Sequence, residues 1–240
     1  QVGVLSGREE SIFMLSDGAG HPDLRAGLPN QFSGGVATIT LATALPAIAN
    51  ATGSTNANRT SIDGRTQTAL TGDTNAPIFN NTTGSEIILN VAAGPGLEVQ
   101  ASFTFIKNIG ITGANGVGTA GVGVYFNGAG AANSRLEDAT IFSNDNSGVK
   151  FQSATSAYVN SNIIRNNGVT DPLADGVELI GSSSNNVTEN IIINNPGYGI
   201  DLHTTTNNSN NLSSNQIINN GTPDDAQDAG IGIRLGNNNL

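Results

Sequence analysis

The chain has 240 residues, of which 12% are charged, and its 9 Lys and Arg against 19 Asp and Glu give a net charge of −10. Nucleic acids and anionic membrane surfaces need clustered basic residues, and the basic residues here are scattered, so both are excluded as partners. No stretch approaches the roughly 18 apolar residues of a membrane span, which excludes membrane insertion. The absence of Cys excludes disulfides and thiolate metal sites.

Glycine and asparagine are unusually frequent, with 31 Gly and 33 Asn, while Trp is absent and Met occurs once. Both residues tolerate left-handed backbone angles, so the chain is rich in turn formers. This composition predicts a thin core of stacked aliphatic side chains rather than one thick globular core.

The N-terminal residues 1–35 lack the repeat found later and are predicted to form a cap or extension, within which Arg8 to Leu15 predicts a short helix. Residues 36–240 are predicted to form one solenoid, with irregular first coils in 36–113 and regular coils in 114–240. Early strands are expected at Thr38 to Leu41, Ser61 to Gly64 and Ile87 to Leu89.

A glycine followed by an alternating strand recurs along the chain, with starts 27, 25, 28, 23 and 33 residues apart. The copies are Gly96-Leu-Glu-Val, Gly123-Val-Tyr-Phe, Gly148-Val-Lys-Phe, Gly176-Val-Glu-Leu, Gly199-Ile-Asp-Leu and Gly232-Ile-Arg-Leu. Successive side chains of a strand point to opposite faces. One face therefore receives only Val, Ile, Leu and Phe, and the other receives the mainly polar column Tyr125, Lys150, Glu178, Asp201 and Arg234.

A second motif falls between these copies and ends in asparagine. Each repeat is too short to bury its own apolar face, so the coils are expected to stack in parallel at roughly 4.8 Å per coil. Stacking would align the terminal asparagines into a structural ladder of paired amides, with ligand binding as the alternative. The ladder residues are Asn144, Asn167, Asn195 and Asn220. The predicted fold is all-β, a right-handed single-stranded parallel β-helix.

The opening coils resemble those of bacterial surface proteins with parallel β-helix repeats, of the CSLREA and polymorphic outer-membrane types. The resemblance is carried by Thr38-Ile-Thr-Leu-Ala-Thr-Ala-Leu-Pro-Ala-Ile48 and Ser61-Ile-Asp-Gly-Arg-Thr-Gln67. Ser6-Gly-Arg-Glu-Glu-Ser-Ile12 is similar to the leading element of that family, without its Cys. The resemblance implies a secreted or surface-displayed structural or adhesive protein.

Two groups of residues are candidate sites. The polar column is either a polysaccharide- or Ca²⁺-binding surface or a ladder of compensating ion pairs. The second group consists of aspartates in two segments, 168–175 and 221–229, that leave the repeat and are expected to bulge outward. These aspartates either lie in solvated loops or contribute to a calcium site, since Ca²⁺ takes six to eight oxygen ligands. These aspartates are Asp171, Asp175, Asp224, Asp225 and Asp228. No other cofactor is expected.

The sequence therefore favours a structural or adhesive protein located outside the cell or at its surface. After Leu235 it shows no polar capping unit, so we expect either that the chain is a fragment of a much larger adhesin or that another copy completes it, which would produce end-to-end self-association into a filament. A β-helix that binds or cleaves polysaccharide, similar to the pectate lyases, is the alternative. The Gly-His-Gly and Arg-x-Lys signatures of the galacturonases are missing, and no catalytic residues are assigned.

Overall fold

The computed structural model describes residues 8–22, 24–49, 59–74, 85–202, 206–221 and 232–234. The first strands are β1 (Arg8–Ile12), β2 (Phe32–Ser33), β3 (Val36–Leu41), β4 (Arg59–Asp63), β5 (Ile87–Val91), β6 (Leu97–Val99) and β7 (Phe105–Lys107). Next come β8 (Gly110–Thr112), β9 (Val124–Asn127), β10 (Arg135–Glu137), β11 (Thr140–Phe142), β12 (Val149–Gln152), β13 (Tyr158–Asn160) and β14 (Ile163–Arg165). The last are β15 (Val177–Ile180), β16 (Asn186–Thr188), β17 (Ile191–Ile193), β18 (Ile200–Leu202), β19 (Asn211–Ser213), β20 (Gln216–Ile218) and β21 (Ile233–Arg234). The described helices are α1 (Arg65–Thr71) and two 3-10 turns, Gly118–Gly121 and Ala129–Ala131.

These strands form three sheets that run along one axis. Sheet A has the order β1-β4-β7-β10-β13-β16-β19, sheet B has β2-β3-β5-β8-β11-β14-β17-β20, and sheet C has β21-β18-β15-β12-β9-β6. Every pairing is parallel except the antiparallel pair of β2 with β3. From β4 to β21 the strands join sheets A, B and C in turn, so each of these coils adds one strand to each sheet, and the predicted parallel β-helix is confirmed.

Each coil turns its corners through single residues with left-handed backbone angles. In one coil, β13 is followed by Ser161 at φ 58° and β14 by Asn166 at φ 52°. After each such residue comes a buried asparagine, Asn162 or Asn167. A strand of three residues, one left-handed residue and one inward asparagine therefore make up each side of this part of the coil.

The alternation predicted for the glycine-led strands is confirmed. The inward residues are at most 1% exposed: Val124, Phe126, Val149, Phe151, Val177, Leu179, Ile200 and Leu202. The rings of Phe126 and Phe151 stack with their centroids 4.9 Å apart. Ile233, in the last described strand, is 41% exposed.

The repeated glycines directly precede strands of sheet C and lie against the isoleucines of sheet B. A Cβ on Gly148 would lie 2.5 Å from Ile164 Cγ2 and 2.6 Å from Asn167 Nδ2, so any side chain there would push against the core and the ladder. The same relation, within a few tenths of an ångström at the isoleucine methyl, recurs at Gly123, Gly176 and Gly199. The first motif thus requires glycine for space rather than for backbone freedom.

The predicted asparagine ladder is present. Asn144 Nδ2 donates to Asn167 Oδ1 at 2.8 Å, Asn167 Nδ2 to Asn195 Oδ1 at 3.1 Å, and Asn195 Nδ2 to Asn220 Oδ1 at 2.9 Å. Each Oδ1 also accepts the backbone N–H of the asparagine one coil before it. Each buried amide is therefore satisfied by its neighbours along the axis.

Two further ladders follow other corners and were not predicted. Asn162 donates to Asn190, and Asn190 to Asn215, both at 3.0 Å, while Asn185 donates to Asn210 at 3.2 Å.

The N-terminal segment departs from the prediction. The helix predicted for Arg8 to Leu15 is wrong, because Arg8–Ile12 is β1, which pairs in parallel with β4. Backbone pairing in the sheet overrides the weak helix preference of this segment. The strands expected to begin at Thr38, Ser61 and Ile87 are confirmed in β3, β4 and β5, although β4 ends at Asp63, one residue before the predicted end at Gly64. The boundaries at residues 35 and 113 stay predictions.

The helix α1 was not predicted. Its buried Gln67 accepts a hydrogen bond from the Leu15 N–H at 2.6 Å and donates to the Leu15 carbonyl at 2.9 Å. A side-chain amide thus substitutes for a strand partner and attaches the N-terminal segment to the helix.

Candidate functional site

The predicted polar column lies on the outer face of sheet C. Strand register places Tyr125 beside Lys150, Lys150 beside Glu178, Glu178 beside Asp201, and Asp201 beside Arg234. Parallel in-register stacking brings the five residues together, one per coil.

Opposite charges are neighbours within this column. Lys150 Nζ lies 3.0 Å from Glu178 Oε2. Arg234 holds Asp201 with two donors, its Nε lying 2.6 Å from Oδ1 and its Nη2 bonding Oδ2. Asp201 is only 2% exposed, so this pair is shielded from solvent on the carboxylate side. Each pair links two successive coils, as the ion-pair interpretation of the column requires.

Tyr125 is less accessible than its outward position suggested. It is 6% exposed, and its hydroxyl donates to Gln152 Oε1 at 2.8 Å. Burial raises the pKa of the Tyr125 hydroxyl, with further contributions from the carboxylates of Glu98 and Glu178. The hydroxyl is therefore bonded to another outward side chain of sheet C and is not free to contact a ligand in solvent.

A cleft of about 200 Å³ opens beside the column between the last described coils. We call it the acidic cleft, and its polar lining residues are Asp175, Glu178, Tyr198, Asp201 and Arg234. The guanidinium of Arg234 lies 4.8 Å from the centre of the Tyr198 ring. The structure thus joins Asp175, predicted as a calcium ligand, to the charged column.

Asp175 is the most perturbed acid of the cleft. Burial, and after it the charge of Asp201, raises the pKa of Asp175 to about 8. The Tyr198 N–H donates to Asp175 Oδ1 at 2.7 Å and acts in the opposite direction, because it stabilises the charged form. At neutral pH the cleft therefore contains a protonated carboxyl group on Asp175, which can donate a proton or a hydrogen bond.

The predicted calcium residues are only partly placed. Asp171 accepts a hydrogen bond from Asn146 Nδ2 at 2.6 Å, and Asp175 lies in the acidic cleft. Asp224, Asp225 and Asp228 lie outside the described residues. Within the described part of the chain, no group of three or more acidic or histidine side chains is arranged to hold a metal ion. The calcium site stays a prediction.

Sequence reasoning missed Tyr198 and placed Asp175 in another site. Both residues directly precede a repeat glycine, as Ser147 does one coil earlier. The Gly148 N–H donates to the Asp175 carbonyl at 3.1 Å and the Gly176 N–H to the Tyr198 carbonyl at 2.8 Å, so the three positions stack. Alignment of the residue before each glycine would have revealed this column.

The three parallel sheets and the axial ladders are the features of right-handed parallel β-helix proteins. Residues 47–217 match the family model for the right handed beta helix region, and the chain belongs to this family. No curated protein and no solved structure matches the chain significantly. Among the described residues, no helix is long and apolar enough to span a bilayer.

The protonation of Asp175 predicts a pH dependence of stability. The native state keeps a proton up to about pH 8 that the unfolded chain, with a pKa near 3.8, releases. The stabilisation is complete below that unfolded value and is lost as pH rises through 8. The free energy of unfolding of Asp175→Asn minus that of wild type should be larger at pH 9 than at pH 4, by at least about 1 kcal/mol.

Urea unfolding of both proteins at several pH values measures this difference. Burial also raises the pKa values of Glu86 and Asp138, but these groups are common to both proteins, so the difference isolates Asp175. Parallel stability curves for the two proteins would show that Asp175 is ionised in the fold at neutral pH.

Proposed function

We propose that the chain is a rigid structural rod, of the adhesive or display type, located outside the cell or at its surface. The unbroken ladder from the Ala114 N–H, which donates to Asn144 Oδ1 at 3.0 Å, through to Asn220 carries this proposal. Since the ladder amides bond to the coils on both sides, as Asn167 Nδ2 does to the Ile141 carbonyl and to Asn195 Oδ1, bending between coils would break buried hydrogen bonds. The resemblance of the opening coils to surface β-helix proteins supports the location.

The charged column supports the same function. The pairs Lys150–Glu178 and Arg234–Asp201 join successive coils on the outside, while the ladder joins them on the inside. A solenoid stabilised on both sides keeps the spacing of its surface side chains, which is what a display surface needs.

End-to-end self-association is part of this proposal. A stack of parallel strands presents backbone N–H and C=O groups along its axis, and strand addition from a second copy would continue all three sheets. A head-to-tail contact of this kind produces an open filament when the rotation does not close.

Negative-stain electron microscopy over a range of protein concentrations tests the assembly. We expect unbranched filaments with the width of one β-helix that lengthen as concentration rises. Uniform monomers at every concentration, confirmed by sedimentation velocity, would contradict end-to-end assembly.

A second function, polysaccharide binding or cleavage, is favoured by the acidic cleft. There a protonated Asp175 lies beside the aromatic ring of Tyr198 and the carboxylate of Asp201. An acid beside a carboxylate is the pattern used in sugar hydrolysis, and a tyrosine ring offers a surface for sugar stacking.

Affinity electrophoresis in gels containing acidic or neutral polysaccharides, with a reducing-end assay, tests this function. Wild type should be retarded, and Tyr198→Ala should lose most of the retardation because the stacking surface is removed. Asp175→Asn should still be retarded but should release fewer reducing ends. Equal mobility with and without polysaccharide would contradict the second function.

A further inference from the structure

A small notch opens on the outer face of sheet B, away from the acidic cleft. In the outward column of this sheet, Gly110 lies between Ile88 on one side and Thr140 on the other. Because Gly110 has no side chain, the column is interrupted there and a space of about 70 Å³ remains. This volume is enough for several water molecules, and therefore for a group of the size of a carboxylate.

The polar groups that line the notch lack partners among the described residues. Ser85 Oγ, Thr140 Oγ1 and Arg165 Nε are all buried without a hydrogen bond. Ser85 is 6% exposed and Thr140 is 4% exposed. Buried polar groups are nearly always satisfied, so three unsatisfied groups around one space indicate a ligand site.

Arg165 is also exceptional in its charge environment. It stacks on Phe142, with its guanidinium carbon 4.9 Å from the ring centre. In the described part of the chain no carboxylate pairs with it, and the ten residues before Ser85 contain no Asp or Glu. Burial lowers the pKa of the Arg165 guanidinium, which is the cost of an uncompensated charge. Other basic side chains do form ion pairs: Arg65, Lys107, Arg135, Lys150 and Arg234.

We infer that the notch binds a carboxylate group through Arg165, Thr140 and Ser85. A guanidinium presents parallel N–H donors that match the two oxygens of a carboxylate, and each hydroxyl can donate one further bond. The apolar side chains of Ile88 and Phe142 line the rest of the space and suit the carbon that carries the carboxylate.

The charge balance favours this ligand over a phosphate or sulfate. One guanidinium neutralises one negative charge, whereas a dianion would remain undercompensated in a chain of net charge −10. The carboxylate can belong to a free short-chain acid or to a carboxylated sugar, two sources that differ in the neutral groups attached to the same charge.

Titration followed by NMR at the arginine Nε–H resonances tests the inference. Sodium acetate, at constant ionic strength with sodium chloride as balance, should shift the Arg165 resonance saturably with a millimolar dissociation constant. Sodium glucuronate is the second probe, methyl glucoside the neutral control and sodium sulfate the dianion control. Tighter binding of glucuronate than of acetate identifies a sugar acid as the source, and the reverse order identifies a free acid.

Variants separate ligand binding from a structural role. Arg165→Gln lacks the Nε–H probe, so its titration is followed at the backbone amide resonances of Thr140 and Phe142, which line the notch. Measured there, Arg165→Gln should weaken acetate binding about tenfold or more relative to wild type, because a charge-assisted pair is lost. Arg135→Gln is the matched control: Arg135 stacks 4.6 Å from the Tyr158 ring centre but is already paired with Glu137. This control should bind acetate as wild type does.

Thr140→Val should change stability and acetate binding in opposite directions, which separates a structural role of the hydroxyl from a role in ligand binding. Removal of a buried hydroxyl without a partner should raise the melting temperature, while the loss of a donor should weaken acetate binding. The inference is overturned if acetate gives no saturable shift in wild type, if sulfate binds as tightly as acetate, or if Arg135→Gln weakens binding as much as Arg165→Gln.

Discussion

The buried side-chain amides at the coil corners are the interaction on which the rest of the structure depends. An apolar side chain could not take the place of Asn167, because Asn167 Oδ1 accepts both the Nδ2 and the backbone N–H of Asn144 on the preceding coil. An unpaired amide in the interior costs more than a hydrogen bond gains, so only stacking in register is stable. The register of the corners in turn sets the register of all three sheets, and with it every column of side chains on the surface.

Both surface sites arise where the regular coil is interrupted. The acidic cleft lies where the chain leaves the coil before Asp175, and the notch lies where Gly110 replaces an outward side chain. On regular coils, outward residues such as Lys150 and Glu178 pair with each other, and Arg135 stacks on Tyr158. Candidate binding sites on this fold therefore lie where the repeat is interrupted, while the regular repeat keeps successive coils fixed relative to one another.

Much of the fold could be predicted because the repeat is local. The spacing of the glycines and the alternation around Val149 and Phe151 were enough to predict which side chains point inward. The asparagine that ends each copy of the second motif was enough to predict one ladder. The ladder through Asn162 and Asn190 was missed because those residues directly precede the second motif and fell outside its pattern. Arg8 to Ile12 could not be assigned correctly, since its strand partner β4 is about fifty residues away in sequence. The notch was missed for the same reason, because Ser85 and Arg165 meet only after several coils have stacked.

The stability of paired variants on and off the ladder tests the central claim most directly. Asn195→Ala removes the acceptor of two buried Asn167 donors, while Asn211→Ala removes an exposed asparagine that donates to Asn186 Oδ1 at 3.3 Å. Urea unfolding should show a loss of about 2–4 kcal/mol for Asn195→Ala and a change within about 0.5 kcal/mol for Asn211→Ala. Equal, small changes for both variants would show that apolar stacking alone holds the coils in register, and would contradict the account.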